Sequence, residues 1–245
     1  MRPYLSIIIP AFNEEKRIKK TFPYFEHFAK NASYKVEIIF VNDGSPDKTA
    51  EVIEKLISDQ PEEMFRLVSF TQNHGKGYAV KRGMFAARGR FILFADVDNA
   101  TPIEQVEKLL PYVNDYDVVI GSRYIQKGSM KVKESAFRII GARFLNAAIR
   151  IMIGLQIKDT QCGFKLFEAS AAREIFTEQT FPGFSFDVEI LAVAKKLGYK
   201  IKEVPVEWFH DPNSKVNPIK DGLRFLKALI IIRWNFLIGK YNLAR

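Results

Sequence analysis

Short runs of β-branched and aromatic residues recur along the first half of the chain, and turn-forming residues end them. Leu5-Ser6-Ile7-Ile8-Ile9 stops at Pro10, and Val36-Glu37-Ile38-Ile39-Phe40-Val41 stops at Asn42-Asp43-Gly44-Ser45. Residues 66–70, residues 91–95 and the shorter Val118-Val119-Ile120 continue the series. Between them the apolar positions take helical spacing over residues 14–30, 47–58, 76–87 and 102–110. Strands alternating with helices predict βαβ units, hence an α/β fold with a mostly parallel central sheet and helices on both faces. The near-continuous apolar character of the strands agrees with burial on both sides.

In such sheets ligands bind beyond the carboxyl ends of the strands. Asn13 and Glu14 follow the first strand, Asn42 and Asp43 the second, and Asp96 and Asp98 the fourth. Three acidic strand ends on one edge point to a cation or a polyhydroxylated ligand.

The second half changes character. From Gly121 to Arg150 seven lysines and arginines, Arg138 among them, face a single acid, Glu134. Residues 136–155 and 187–197 read as helices, and residues 201–208 as a strand. Residues 219–241 read as a helix with a broad apolar stripe. The division expected is a catalytic domain over residues 1–218, with a basic, apolar helical insertion at about 125–155, and a C-terminal amphipathic element over residues 219–245.

Composition narrows the classes. Hydrophobic residues make up 47% of 245, enough for a full core. The net charge of +9 favours an anionic partner: nucleic acid, an acidic membrane surface or a phosphorylated substrate. A single cysteine forbids an internal disulfide, which fits a reducing setting. Scattered histidines (His27, His74, His210) disfavour a zinc cluster. No signal peptide and no stretch of the ~18 uncharged apolar residues of a membrane span is found. In the last helix Arg224, Lys227 and Arg233 interrupt the apolar run, and Lys220, Arg224 and Lys227 flank Leu223, Leu226, Ile230, Trp234 and Leu237. That pattern suits a helix lying on an anionic membrane; the alternative is packing on the domain or in a homo-oligomer.

Asp96-Val97-Asp98 carries the sharpest chemistry. In an extended loop residues i and i+2 point to one side, so both carboxylates can face one ligand. Hard oxygen ligands suit Mg²⁺ or Mn²⁺ and leave positions for phosphates. Read alone, the triplet is equally a solvated acidic turn. Asn42-Asp43-Gly44-Ser45-Pro46 is ordinary turn vocabulary, with Ser45 or Asp47 placed to cap the next helix. Asn73-His74-Gly75-Lys76-Gly77 is neither a phosphate-loop motif nor a dinucleotide fingerprint, although its glycines let backbone approach a ligand. Asp187 and Glu189 are either a base pair for a hydroxyl acceptor or a helix N-terminal charge pair. No aromatic RNA-binding motif or helix-turn-helix supports a nucleic-acid-binding domain.

In order, Ile8-Ile9-Pro10-Ala11-Phe12-Asn13-Glu14, Val41-Asn42-Asp43-Gly44-Ser45, the 73–77 segment, Asp96-Val97-Asp98 and Gly121-Ser122-Arg123-Tyr124 resemble the family 2 inverting glycosyltransferases of the GT-A fold. Asp159-Thr160-Gln161-Cys162-Gly163-Phe164-Lys165, Phe186-Asp187-Val188-Glu189 and Ser214-Lys215 look most like the dolichyl-phosphate β-glucosyltransferases, then the dolichyl-phosphate mannosyltransferases. The resemblance implies a nucleotide-sugar donor, a polyprenyl phosphate acceptor, a divalent metal and attachment to the cytoplasmic face of a membrane. Pro10, Phe12 and Glu14 would line the nucleoside pocket, with Asp43 on the base or ribose and Lys76 on the donor. Asp96 would face the ribose or metal, and Asp98 would bind the ion. Arg123 and Lys215 would neutralise phosphates, joined on the acceptor side by Arg138, Lys165 and Ser214. Two departures stand out: Phe12 replaces the Tyr of many relatives, and Trp208-Phe209-His210-Asp211 lacks the arginine usual in the mannosyltransferases. Transfer to a hydroxyl of a glycan or protein is the other enzymatic reading.

Overall fold

The computed structural model of the protein describes residues 2–125, 147–209 and 218–242, excepting the side chains of 218–221. Seven strands form one sheet: β1 (Leu5–Ala11), β2 (Val36–Asp43), β3 (Phe65–Phe70), β4 (Phe91–Ala95), β5 (Val118–Ser122), β6 (Phe164–Glu168) and β7 (Ile201–Pro205). Their spatial order is β3-β2-β1-β4-β6-β5-β7. Every neighbouring pair is parallel except those of β6, which runs antiparallel to both β4 and β5. The expected GT-A architecture, a mostly parallel sheet covered on both faces, is what the chain adopts.

Alternate residues of each strand feed two separate cores. Ile7, Ile9, Ile38, Phe40 and Leu93 point to the side of α1 (Glu15–Asn31) and α2 (Thr49–Ile57). Ile8, Ile39, Val41, Ile92 and Phe94 point to the other side. There they meet α3 (Lys76–Ala86), α4 (described over 147–153), α5 (Ala169–Glu178), α6 (Phe186–Lys196) and α7 (Pro218–Leu237). This two-sided burial explains the unbroken apolar runs. Pro10 is tolerated inside a central strand because the β1–β4 register ends at Ile8↔Phe94, so no partner on that side needs its missing N–H.

Three expectations change. Residues 102–110 form short 3₁₀ turns, Ile103–Lys108 followed by Leu110–Tyr112, and Pro111 lacks the N–H that would continue an α-helical ladder through them. Neither β6 nor α5 is marked by the hydrophobic pattern of the sequence. In β6 a lysine, Lys165, sits mid-strand and fully buried, which masks the apolar pattern. In α5 the buried face is largely alanine (Ala169, Ala171, Ala172), too small to mark a stripe.

The C-terminal helix is part of this fold. Phe225, Leu229 and Ile232 of α7 are buried in the same core as β4 and α6. The Arg233 guanidinium donates to the Met152 carbonyl of α4 (2.9 Å). No helix among the described residues is long and apolar enough to cross a membrane.

Candidate functional site

Parallel β1, β2, β4 and β5 all end at one edge, and the reversed strand β6 begins there, with Ala95 paired to Phe164. The loops leaving this edge are cross-braced. Asp43 is buried; its Oδ1 accepts from the His74 N–H (3.0 Å), and its Oδ2 accepts from the Gly75 N–H (2.7 Å) and Asn73 Nδ2 (2.9 Å). Three of roughly four lone-pair positions are therefore engaged, and Asp43 positions the 73–75 loop, with little capacity left for a base or ribose. Gly44 and Gly75 both have positive φ, at 66° and 105°. A Cβ on Gly75 would lie 2.6 Å from the Pro182 carbonyl oxygen, so the 73–77 and 181–183 loops touch backbone to backbone.

At the end of β1, the Asn13 N–H donates to Ser45 Oγ (3.0 Å) and the Glu14 N–H to Thr49 Oγ1 (2.8 Å). Asp47 accepts from the Thr49 N–H (3.0 Å), a local turn bond; the N-cap of α2 is Lys48, so neither Ser45 nor Asp47 holds the capping position. Of the expected nucleoside residues, Pro10 is buried, Glu14 pairs with Arg17 (2.5 Å) and Phe12 is 39% exposed beside them.

The Asp96-Val97-Asp98 loop behaves as its spacing predicts. Val97 turns inward and is buried, while Asp96 and Asp98 remain partly open. Asp98 accepts from the Ala100 N–H (3.0 Å), and Asn99 at φ 52° carries the chain away. Burial, and next the charge of Asp96, raise the Asp98 pKa above the ordinary carboxylate value. Gly163, just before β6, makes room for Asp96: a Cβ there would stand 2.0 Å from Asp96 Oδ2. The motif holding Gly163 was visible in the sequence, but the reason for a glycine is a close approach only the fold creates.

Lys76 opens α3 and pairs with Asp96 at 2.6 Å. Burial works against its charge, yet Asp96, Asp187 and Asp98 outweigh that cost and hold its pKa above the ordinary lysine value. Its ammonium lies between two rings, 5.2 Å from the Phe94 centroid and 5.7 Å from that of Phe184.

Other predicted residues take different roles. Lys165 is fully buried, donating to the Cys162 carbonyl (2.6 Å) and pairing with Asp187, so it cannot meet an acceptor phosphate. Asp187 is thereby the counter-ion of Lys165. Burial raises its pKa, and Lys165 and Lys76 pull it back only in part. Glu189 is fully buried and accepts from the Thr180 N–H and Oγ1, the Phe181 N–H and Tyr241 Oη. With both oxygens engaged, it is a structural hub and not a base. Arg123 reaches the same edge from β5, where Asp159 holds its Nε and Nη2 in a bidentate pair at 2.8 Å. Against the cost of burial, Arg123 keeps the Asp159 carboxyl below its ordinary pKa. The guanidinium also lies over Tyr124 (5.3 Å) and Trp208 (5.5 Å). Burial pushes the Cys162 thiol up to about 12, which leaves it unreactive. Arg138, Ser214 and Lys215 lie outside the described residues.

Asp96 and Asp98 are the residues able to hold a divalent ion. Among the described residues no group of three or more His, Cys, Asp or Glu is arranged as a cage. Two hard carboxylates with open positions fit an ion whose shell a diphosphate and water complete. The Gly163→Ala variant tests this geometry: the added methyl displaces the Asp96 carboxylate while the buried core stays intact. The stabilisation of the protein by Mn²⁺ in thermal unfolding should fall at least tenfold in apparent affinity, about 1.4 kcal/mol. An unchanged Mn²⁺ titration would remove Asp96 from the ion site.

The chain is similar to known proteins along nearly its whole length. The profile described as Glycosyl transferase family 2 matches residues 6–176. A dolichyl-phosphate beta-glucosyltransferase of Dictyostelium discoideum is 36% identical over 98% of this chain and 77% of its own length. The Homo sapiens protein of the same description is 34% identical over 98% and 78%. Among solved structures, glucosyl-3-phosphoglycerate synthase from Mycobacterium tuberculosis, in complex with Mn²⁺, UDP and glucosyl-3-phosphoglycerate, has a TM-score of 0.67 at 23% identity. That likeness covers 94% of this chain and 80% of the other, and it bears on the fold. With the family profile spanning most of the sheet and its carboxylate edge, the chain belongs to glycosyl transferase family 2 and is a glycosyltransferase.

Proposed function

We propose that the protein transfers glucose from UDP-glucose to a polyprenyl phosphate of the dolichyl type, with inversion and with a divalent cation, Mg²⁺ or Mn²⁺. The observation that carries this reading is the 34–36% identity to the two dolichyl-phosphate beta-glucosyltransferases, over 98% of the chain. The site supports it chemically. Asp96 and Asp98 would hold the ion, which when bound supplies Lewis-acid stabilisation to the departing diphosphate. Lys76, held at this edge by its pair with Asp96, would be the cation shared between the donor diphosphate and the acceptor phosphate. Arg123, anchored by Asp159, adds a second oriented positive charge.

A lipid phosphate also removes the need for a general base. Its second pKa is about 6, so at neutral pH the attacking oxygen is already anionic. The phosphate oxygen forms a bond to the sugar C1 from the face opposite the diphosphate. The C1–oxygen bond breaks, and its electrons leave on UDP. The chain's own task is to orient the two phosphates and shield their charge. This agrees with a site whose buried Glu189 is fully engaged and whose Asp187 is paired to Lys165.

Such an acceptor would bring the enzyme to a membrane, and α7 offers a surface that suits one. With its inner face buried, α7 exposes Leu223, Ile230, Trp234 and Leu237 at 60–68% and Ile238 at 55%. Ile151 of α4 is 81% exposed, and Arg150, Lys227, Arg233 and Lys240 are exposed. An apolar helical face bordered by basic residues matches an interfacial element on anionic lipid, here at the cytoplasmic face.

Purified protein supplied with radiolabelled UDP-glucose, Mn²⁺ and polyprenyl phosphate should move label into the organic phase. The label should be acid-labile, and EDTA should abolish the transfer. Label reaching only water, or only a hydroxyl acceptor, would reject the reading. Separately, the Ile230→Glu/Trp234→Glu variant should lose at least tenfold in partitioning to phosphatidylserine vesicles, with its thermal midpoint unchanged. Undiminished vesicle binding, or a dimer that the variant dissociates, would assign this face to another role.

A further inference from the structure

Phe184 stands out at the edge of the site. Its side chain is 70% exposed, against 39% for Phe12 and 45% for Phe209 near the same edge. Its ring sits 5.7 Å from the Lys76 ammonium, which itself contacts Asp96 at 2.6 Å. The ring is therefore open to solvent on the approach to the carboxylate pair.

The loop beneath it is firmly held. Thr180 and Phe181 donate to buried Glu189 at 2.6–3.0 Å, and the Pro182 carbonyl accepts the Tyr78 N–H at 3.0 Å. Gly77 and Gly75 press on the Phe181 and Pro182 carbonyls from below. At Gly183 an added Cβ would meet nothing within 4 Å, so the chain rises into open space just before Phe184. A loop pinned by its backbone that presents one uncovered aromatic ring is a preorganised apolar surface, with little ordering left to lose on binding. An aromatic side chain has a large area to contribute when covered.

A ligand that fits this neighbourhood needs two parts in a fixed order. Its anionic end must reach the Lys76 ammonium, and its next few atoms must be apolar, because the ring beside that cation offers no hydrogen bond. A small soluble phosphate satisfies only the first requirement. A prenyl phosphate satisfies both, since its hydrocarbon begins immediately beyond the phosphate oxygen. We propose that Phe184 is an acceptor-binding residue on which the first isoprene units of the lipid lie while the phosphate is held at Lys76. It thereby distinguishes prenyl phosphates from soluble phosphate acceptors. This rests on the polyprenyl phosphate reading above.

The test measures binding and transfer separately, with a ten-carbon prenyl phosphate and with inorganic phosphate. By calorimetric titration the wild-type protein with Mn²⁺ and UDP should bind the prenyl phosphate. Phe184→Ala should bind it about tenfold more weakly, as expected for losing much of an aromatic contact, whereas Phe184→Leu should recover most of the loss. Inorganic phosphate should bind both proteins alike. In turnover the KM for prenyl phosphate should rise in Phe184→Ala, with the KM for UDP-glucose within about twofold of wild type, so that about tenfold in kcat/KM is lost through the acceptor alone. Equal prenyl phosphate affinity in wild type and Phe184→Ala, or a loss falling on UDP-glucose, would overturn the assignment. Prenyl phosphate binding that depends on Phe184 without any glucose transfer would reject the proposed reaction and leave the platform standing.

Discussion

Three carboxylates, Asp96, Asp98 and Asp187, crowd one end of a buried sheet, and two lysines, Lys76 and Lys165, sit among them. Charges at that density are stable only if each is paired or exposed. Lys165 and Asp187 neutralise one another inside the fold, fully sequestered. Lys76 leans on Asp96 at the surface. Asp98 is left with excess negative charge beside it, which is why its pKa is raised after burial has contributed its larger share. Across these five groups negative charge exceeds positive by one, a surplus that a bound cation would neutralise.

The fold delivers that arrangement through one reversed strand. Because β6 runs antiparallel to β4, its first residues return to the carboxyl edge, and Gly163 can press against Asp96. The same reversal lets β5, parallel to β4, bring Arg123 to that edge. A strand parallel to its neighbours would begin at the opposite end of the sheet. Glu189 braces the other flank, tying the 180–183 loop to Tyr241 just beyond α7. The 180–183 loop, α6 and the C-terminal segment are thus joined by buried polar contacts.

Much of this was legible in the sequence, and the gaps have physical causes. β-Branched runs announced β1, β2 and β4, and the i, i+2 spacing correctly turned Asp96 and Asp98 outward around buried Val97. The resemblance to family 2 glycosyltransferases rested on those same segments. Lys165 looked like a phosphate ligand because its partner, Asp187, lies 22 residues away and only the fold brings them together. Glu189 looked available as a base because the backbone donors of Thr180 and Phe181 carry no sequence signal. Asp43 carries the resemblance's nucleoside contact, and in the fold three of its lone-pair positions go to the loop that leads to Lys76. In each case the side chain is engaged by a partner that its local sequence does not reveal.

If the carboxylate edge is a diphosphate site completed by a metal ion, binding of UDP-glucose must depend on that ion. The direct measurement is calorimetric titration of UDP-glucose into the protein with Mn²⁺ and with EDTA, repeated on Asp98→Asn. Wild-type binding should be at least tenfold tighter with Mn²⁺, about 1.4 kcal/mol, and Asp98→Asn should show no Mn²⁺ dependence. Equal affinity with and without the ion in the wild type, or a variant that keeps the full Mn²⁺ effect, would contradict it.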